Sequence, residues 1–220
     1  MSRFLTWSIC SFAILLSGCF EMVEEVTYKD ANSGVYTLTM NCSKSKARLK
    51  TLMALDSFLG VKVPNQARIN AYFNAIANAA KKTDGISKVT TTRDFENFIF
   101  TCSCAFDKTE NLNKAINDAA RACARKKAIP HLDVFSMSSA AFTRYATPND
   151  SLARRARNNA NLKLLAGASI VSIYRFTKEV KSVSNAKAKI SPDKKAVMLK
   201  QDITDIMSTP SLFTNTITFQ

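Results

Sequence analysis

The residues whose types could do chemistry are few: the cysteines, a single histidine and a short run of arginines. Cys42, Cys102, Cys104 and Cys123 lie in the body of the chain, an even set that could pair as disulfides or stay as thiols. Bridging Cys102 to Cys104 would strain an extended strand, whereas Cys42 or Cys123 could reach either one from a neighbouring strand or an overlying helix. All four occupy positions read as inward, where free cysteine behaves as a small apolar residue. Cys102-Ser103-Cys104 lacks the C-x-x-C loop that lowers a thiol pKa. Zinc needs about four ligands, and the only histidine is His131, so no metal site is expected. His131 could serve a nucleophile, yet the chain has neither a G-x-S-x-G turn nor a glycine-rich phosphate loop, and no catalytic residue is assigned. Arg154, Arg155 and Arg157 are the densest cations. On a helix Arg154 and Arg157 share a face and could bind an anion such as a phosphate or a glycan carboxylate; a solvated basic face is the plainer reading.

Cys19 stands in a different setting. Before it the only charge is Arg3, followed by an apolar run over residues 4–16 and the small pair Ser17-Gly18. This is the order of a secretory signal, residues 1–18, and the apolar run is shorter than the roughly 20 residues that span a bilayer. Leu16-Ser17-Gly18-Cys19 resembles the lipobox of bacterial lipoproteins. The resemblance implies cleavage before Cys19, a diacylglycerol on its sulfur and an acyl chain on its amine, with no other cofactor. Several chains on one residue hold firmly to a bilayer where one alone holds marginally. Cys10 leaves with the leader. Phe20, standing where an Asp would imply inner-membrane retention, implies the outer membrane. Glu21, Glu24 and Glu25 resemble the acidic export signals of surface-exposed Bacteroidota lipoproteins, and a charged strand edge explains them equally well. The periplasmic and external leaflets both stay open.

Loss of the leader changes the formal charge only from +14 to +13, since it removes Arg3. A chain this basic points to nucleic acid or an anionic surface. Export leaves nucleic acid out and favours an envelope partner: a lipid headgroup, a glycan or another envelope protein. The basic residues are dispersed, with Lys44, Lys46, Arg48 and Lys50 in one region and Lys178, Lys181, Lys187, Lys189, Lys194 and Lys195 in another.

The elements that must position these residues follow from hydrophobic period. Two alternating runs flank Asp30-Ala31-Asn32-Ser33-Gly34, which reads as a hairpin with Tyr36, Leu38, Met40 and Cys42 on one face. Residues 43–59 read as a helix with Leu49, Leu52, Met53 and Phe58 inward. Residues 65–82 read as a second helix, with Ile69, Tyr72, Phe73, Ile76 and Ala80 as its stripe. Residues 86–106 read as a strand pair turning near Arg93-Asp94, with Phe98, Phe100, Cys102, Cys104 and Phe106 on one face. Thr109 caps a third helix to about residue 125, with Leu112, Ile116, Ala119, Ala120 and Cys123 inward. Residues 131–146 read as extended and 149–167 as a helix. Residues 168–185, 194–206 and 211–219 read as strands, the first pair turning at Pro192-Asp193.

Strand runs broken by helices predict an α+β class: a largely antiparallel sheet with helices packed on one face. Residues 20–220 are expected to form a single domain, with a subdomain boundary near 126–131 as the alternative. Residues 19–30 are expected to hold the lipidated cysteine, a short tether and the first strand. The lipobox, the hairpin at Asp30 to Gly34 and the "DFENFIF" stretch together resemble uncharacterised envelope lipoproteins of Bacteroidota. The function implied is a lipid-anchored, non-enzymatic binding or structural component of the envelope. The fourteen phenylalanines raise a second reading, a carrier with an apolar pocket between helices and sheet, although aromatic rings ordinarily just fill a core. A hydrolase without a recognisable motif is the third.

Overall fold

The structure, a computed structural model, describes residues 20–55, 57–58, 61–124, 131–146 and 167–220. The first hairpin joins β1 (Glu21–Tyr28) to β2 (Gly34–Asn41) in antiparallel register, with Val26 opposite Tyr36. Its turn is set by Asp30, whose Oδ1 accepts from the backbone of Asn32 and Ser33 at 2.8 and 2.7 Å. Gly34 is required by a close approach: a Cβ there would sit 2.4 Å from the Thr27 carbonyl oxygen and 2.8 Å from the Phe106 ring. After β2 the chain makes a 3-10 turn and then α1 (Lys46–Met53), followed by the small β3 (Ser57–Phe58) and β4 (Val61–Lys62) hairpin. The helix expected over 43–59 therefore stops early. Only Leu49 and Met53 reach an apolar cluster, and no residue of α1 is buried, so nothing extends an apolar stripe.

The second helix, α2 (Gln66–Lys81), begins at Asn65, whose side chain accepts from the Arg68 amide at 2.9 Å. Next come β5 (Ile86–Asp94), β6 (Ile99–Phe106) and α3 (Thr109–Ala124). The turn between the two strands falls at 95–98, later than the Arg93-Asp94 position read from sequence. The reason is Asp94, which accepts from the amides of Glu96 and Asn97 at 2.8 Å each and so starts the turn after itself. Phe98 consequently sits in the turn with φ 56°, buried in a different cluster from that of Cys104 and Phe106.

The second half adds β7 (Phe135–Met137), β8 (Ala141–Arg144), β9 (Ser169–Arg175), β10 (Val180–Val183), β11 (Lys189–Ile190), β12 (Ala196–Asp202), α4 (Ile203–Ser208) and β13 (Asn215–Phe219). The run at 168–185, read as one strand, is two strands in different sheets. The chain crosses over at 176–179, where the Phe176 and Val180 amides donate to the carbonyls of Lys195 and Lys194. The run at 194–206 ends as a short helix, and 210–213 is a 3-10 turn before β13.

Among the described residues the main sheet runs β11-β12-β9-β1-β2-β6-β5, and a smaller sheet runs β10-β13-β8-β7. The main sheet is antiparallel except where β1 lies parallel to β9. The class is α+β, with helices over one face as expected, but α2 and α3 cover only the β5–β6 half of that face. The small sheet covers the rest, which sequence did not foretell. The two layers meet in one core built from Val26, Tyr28, Phe106, Tyr174 and Val197 of the main sheet and Phe135, Phe142, Val180 and Ile217 of the small one. Aromatic edges and faces interlock there, with Phe142 4.8 Å from Tyr174 and 5.7 Å from Tyr28 between ring centroids. A second cluster of Cys42, Phe98 and Phe100 takes Phe20, Leu49, Met53, Ile69, Phe73 and Phe95 at the end of the sheet where β1 begins. β1 starts at Glu21, and the Phe20 carbonyl already accepts from Ser169, so no described residue serves as a tether.

Candidate functional site

Three strands bring a buried ion pair together. Inward positions on β1 alternate as Met22, Glu24, Val26 and Tyr28, and the period that buries Val26 also buries Glu24. Arg144, the last residue of β8, faces it from the small sheet. Its Nε and Nη2 donate to the two Glu24 oxygens at 3.1 Å each, a two-pronged pair with both residues buried. The Tyr174 hydroxyl of β9 donates to Glu24 Oε1 at 2.7 Å. The remaining Arg144 nitrogen, Nη1, donates to the Tyr145 carbonyl. The guanidinium lies between two rings, 5.2 Å from the centroid of Phe135 and 4.4 Å from that of Phe213. Burial pulls the Arg144 pKa down, the Glu24 carboxylate more than offsets this, and the net shift is upward. Tyr174 and Tyr36 are both pushed well above the usual phenol range, by burial first and by Glu24 second.

This pair lines a cavity of about 280 Å³. Met22, Glu24, Leu38, Tyr36 and Ile170 form its floor on the main sheet; Ile116, Asn117 and Ala120 of α3 form one wall; Leu132, Val134, Arg144 and Phe213 complete it. The volume lies just below the range for sites of drug-sized molecules, about 300–1,000 Å³. A further hollow of about 60 Å³ lies on the other side of Tyr36 and Ile116, against Cys102 and Cys104. Ala120, read from sequence as a core position, instead faces the cavity and is exposed.

One wall is tied together by hydrogen bonds. Asn113 and Asn117, one turn apart on α3, are both buried. Asn113 accepts from the amides of Val134 and Phe135 at 3.2 and 2.9 Å and donates to the Phe135 carbonyl at 2.7 Å. Asn117 exchanges bonds of 2.9 and 3.0 Å with the backbone of Leu132. They bind the 132–135 segment along α3 as a strand would be bound. Sequence reasoning missed Glu24, Arg144, Asn113 and Asn117. The signal was present in polar residues interrupting apolar faces at helical or strand spacing.

The residues singled out from sequence fall elsewhere. Cys42, Cys102, Cys104 and Cys123 are free in the structure. Cys42 belongs to the second cluster, while Cys104 is in the main core. Cys102 and Cys104 point inward from β6, and burial pushes each thiol up to about 11. Cys123 lies near enough to Cys102 to add to that shift. His131 is half-exposed, its Nε2 3.5 Å from Asp133 Oδ1. Cys19 and Arg154, Arg155 and Arg157, with the helix expected over 149–167, lie outside the described residues. Among the described residues no group of three metal-ligating side chains converges, and no helix is long and apolar enough to cross a membrane.

No protein-family model matches this chain, and no curated protein does. Among solved structures, the folded domain of the LppM protein of Mycobacterium tuberculosis, determined by NMR, aligns with a TM-score of 0.40 and 10% sequence identity, over 93% of this chain and 91% of that one.

The buried pair and the buried thiols each predict a measurable outcome. Glu24→Leu leaves Arg144 buried without a counter-charge and should lower unfolding stability in urea by about 3–5 kcal/mol, while Glu24→Leu with Arg144→Met recovers most of it. A double variant no better than the single would mean that the pair, not the isolated charge, holds the sheets. The raised thiols predict slow modification of Cys102 and Cys104 by a thiol reagent at pH 8 and rapid modification of all four body cysteines once the protein is unfolded without reductant. Because burial pushes the folded thiols up to about 11 while unfolded ones ionise near about 8.5, the folded state holds extra protons between those values, and stability should fall as pH rises through that window.

Proposed function

We propose that this protein is a lipid-anchored, non-enzymatic envelope protein, held at the outer membrane through Cys19, that receives one slim apolar molecule in the cavity above Glu24. The observation that carries the reading is the cavity itself. It is walled mainly by Met22, Leu38, Ile116, Leu132, Val134, Ile170 and Phe213, with the Glu24–Arg144 pair, Tyr36 and Asn117 as its polar lining. An apolar lining with a few fixed polar groups is how small-molecule sites combine affinity with orientation. The ligand that fits is a single acyl chain or a body of similar girth, with a polar end that can bond to the Glu24–Arg144 pair. Its position supports the anchor reading as well. Met22 and Ile170 are the second residues of β1 and β9, so the cavity lies toward the end of the sheet that follows Cys19. The exposed His131 and the raised thiols favour binding over hydrolysis.

The test uses the full chain and cis-parinaric acid, a fluorescent fatty acid no wider than an ordinary acyl chain. Saturable binding with about one probe per chain is expected, and Leu38→Trp, which fills the floor of the cavity, should weaken it by at least about tenfold, about 1.4 kcal/mol. Unchanged thermal stability in that variant would show that the ring occupies existing space. Equal probe binding by the filled variant would overturn the reading.

A further inference from the structure

We infer that the folded domain lies directly on an anionic bilayer surface, seated on the end of the main sheet where β1 begins and held there by the cations of the α1 segment. This seating requires the acylation of Cys19 proposed above, and chain length then sets the distance. The Phe20 carbonyl accepts from the Ser169 amide at 3.0 Å, and Glu21 is already in register with Asn41 and Ser169. Consecutive Cα atoms are about 3.8 Å apart, so acyl chains on Cys19 leave the domain no room to stand away from the headgroups. Whatever surrounds Phe20 meets the membrane.

On the side of α1 the surroundings of Phe20 are cationic and apolar. Phe20 packs on the same cluster as Leu49 and Met53 of α1. Residues 43–55 carry Lys44, Lys46, Arg48 and Lys50 and no acidic residue. Lys46 Nζ also donates to the neutral Asn97 side chain at 3.2 Å. Two carboxylates at this end are engaged, Glu21 with Lys200 at 3.2 Å and Asp94 with the 96–97 amides; Glu96, Asp202 and Asp205 are exposed there, so the cationic face is that of α1 and not of the whole end. Among the described residues the apolar side chains left most exposed include Leu55 at 45% and Met40 at 38%, one following α1 and the other next to last on β2. Leu49 and Met53 of α1 share a cluster with Phe20, so the cations between and before them are carried on the element beside the anchor, where headgroup charge, which decays over about 8 Å at physiological salt, is strongest. An acyl anchor joined to a basic patch is the combination that gives stable attachment to anionic lipid. α1, which buries no residue of its own in the fold, gains a function as this patch.

The only tryptophan of the chain is Trp7, which leaves with the leader, so a single introduced tryptophan reports local environment. The lipidated full chain, purified in detergent, is reconstituted on vesicles of phosphatidylcholine alone or mixed with phosphatidylglycerol, each with a brominated lipid as quencher. Leu55→Trp should be quenched on the anionic vesicles. Ile190→Trp, exposed on the edge strand β11 opposite Val197, should not be. Lys44→Gln, Lys46→Gln, Arg48→Gln and Lys50→Gln together should abolish the quenching at Leu55→Trp while the protein still floats with the vesicles. Absence of quenching at Leu55→Trp, or equal quenching at both reporters, in protein of the acylated mass overturns the docking. Protein lacking the acyl mass on Cys19 overturns the anchor, and the mass is read separately from the fluorescence.

Discussion

Two oppositely charged groups, Glu24 and Arg144, have been taken out of water and locked against each other across the layer between two sheets. Everything near them is arranged to offset that cost. Both Glu24 oxygens are bonded, Tyr174 adds a third donor, Nη1 finds a carbonyl, and Phe135 and Phe213 cover the guanidinium. A well-packed apolar pair of the same size would often be as stable or more so. A pair kept under those terms is better explained by what it presents than by what it adds to stability, and what it presents is the polar edge of an otherwise greasy hollow.

The hollow exists because the covering layer changes identity along the sheet. Helices α2 and α3 cover the β5–β6 side, and the small sheet covers the β1–β9–β12 side, with dense aromatic packing where the layers meet squarely. Between α3 and the small sheet lies the 132–135 segment, neither helix nor ladder strand in its first half, whose backbone bonds are met by Asn113 and Asn117. Side-chain amides tie that segment to α3, while Val134 and Phe135 pack into the core. The cavity is thus framed by polar bonds, which are directional, and lined by apolar groups, which are not.

Strands and helices with a clean period were readable from sequence alone. The β1–β2 hairpin, α2 with its Asn65 cap, β6 and α3 all lie close to where alternation or helical spacing put them. Boundaries failed where a local hydrogen bond outranked the pattern, as when Asp94 drew the turn downstream of itself. The long apolar run at 168–185 failed for a tertiary reason. Its first half is buried between β1 and β12 and its second against β13, and nothing in composition marks the change of sheet at 176–179. The site was the least legible part. Period-2 burial of Glu24 looked like an acidic strand edge because its partner lies 120 residues away in sequence. Cys42 and Cys104, among the first candidates for chemistry, are core filling.

The cavity and α1 both lie toward the start of β1, the point that follows Cys19. The proposed acylation of Cys19 would hold this hollow close to the surface from which the proposed apolar ligand would come. The most direct measurement is native mass spectrometry of the full chain extracted from its own membrane in mild detergent. The expected result is a single small-molecule adduct, of acyl-chain character on release, that is absent from Leu38→Trp prepared in parallel. Wild-type and filled proteins of identical, ligand-free mass would contradict the assignment of the cavity as a binding site.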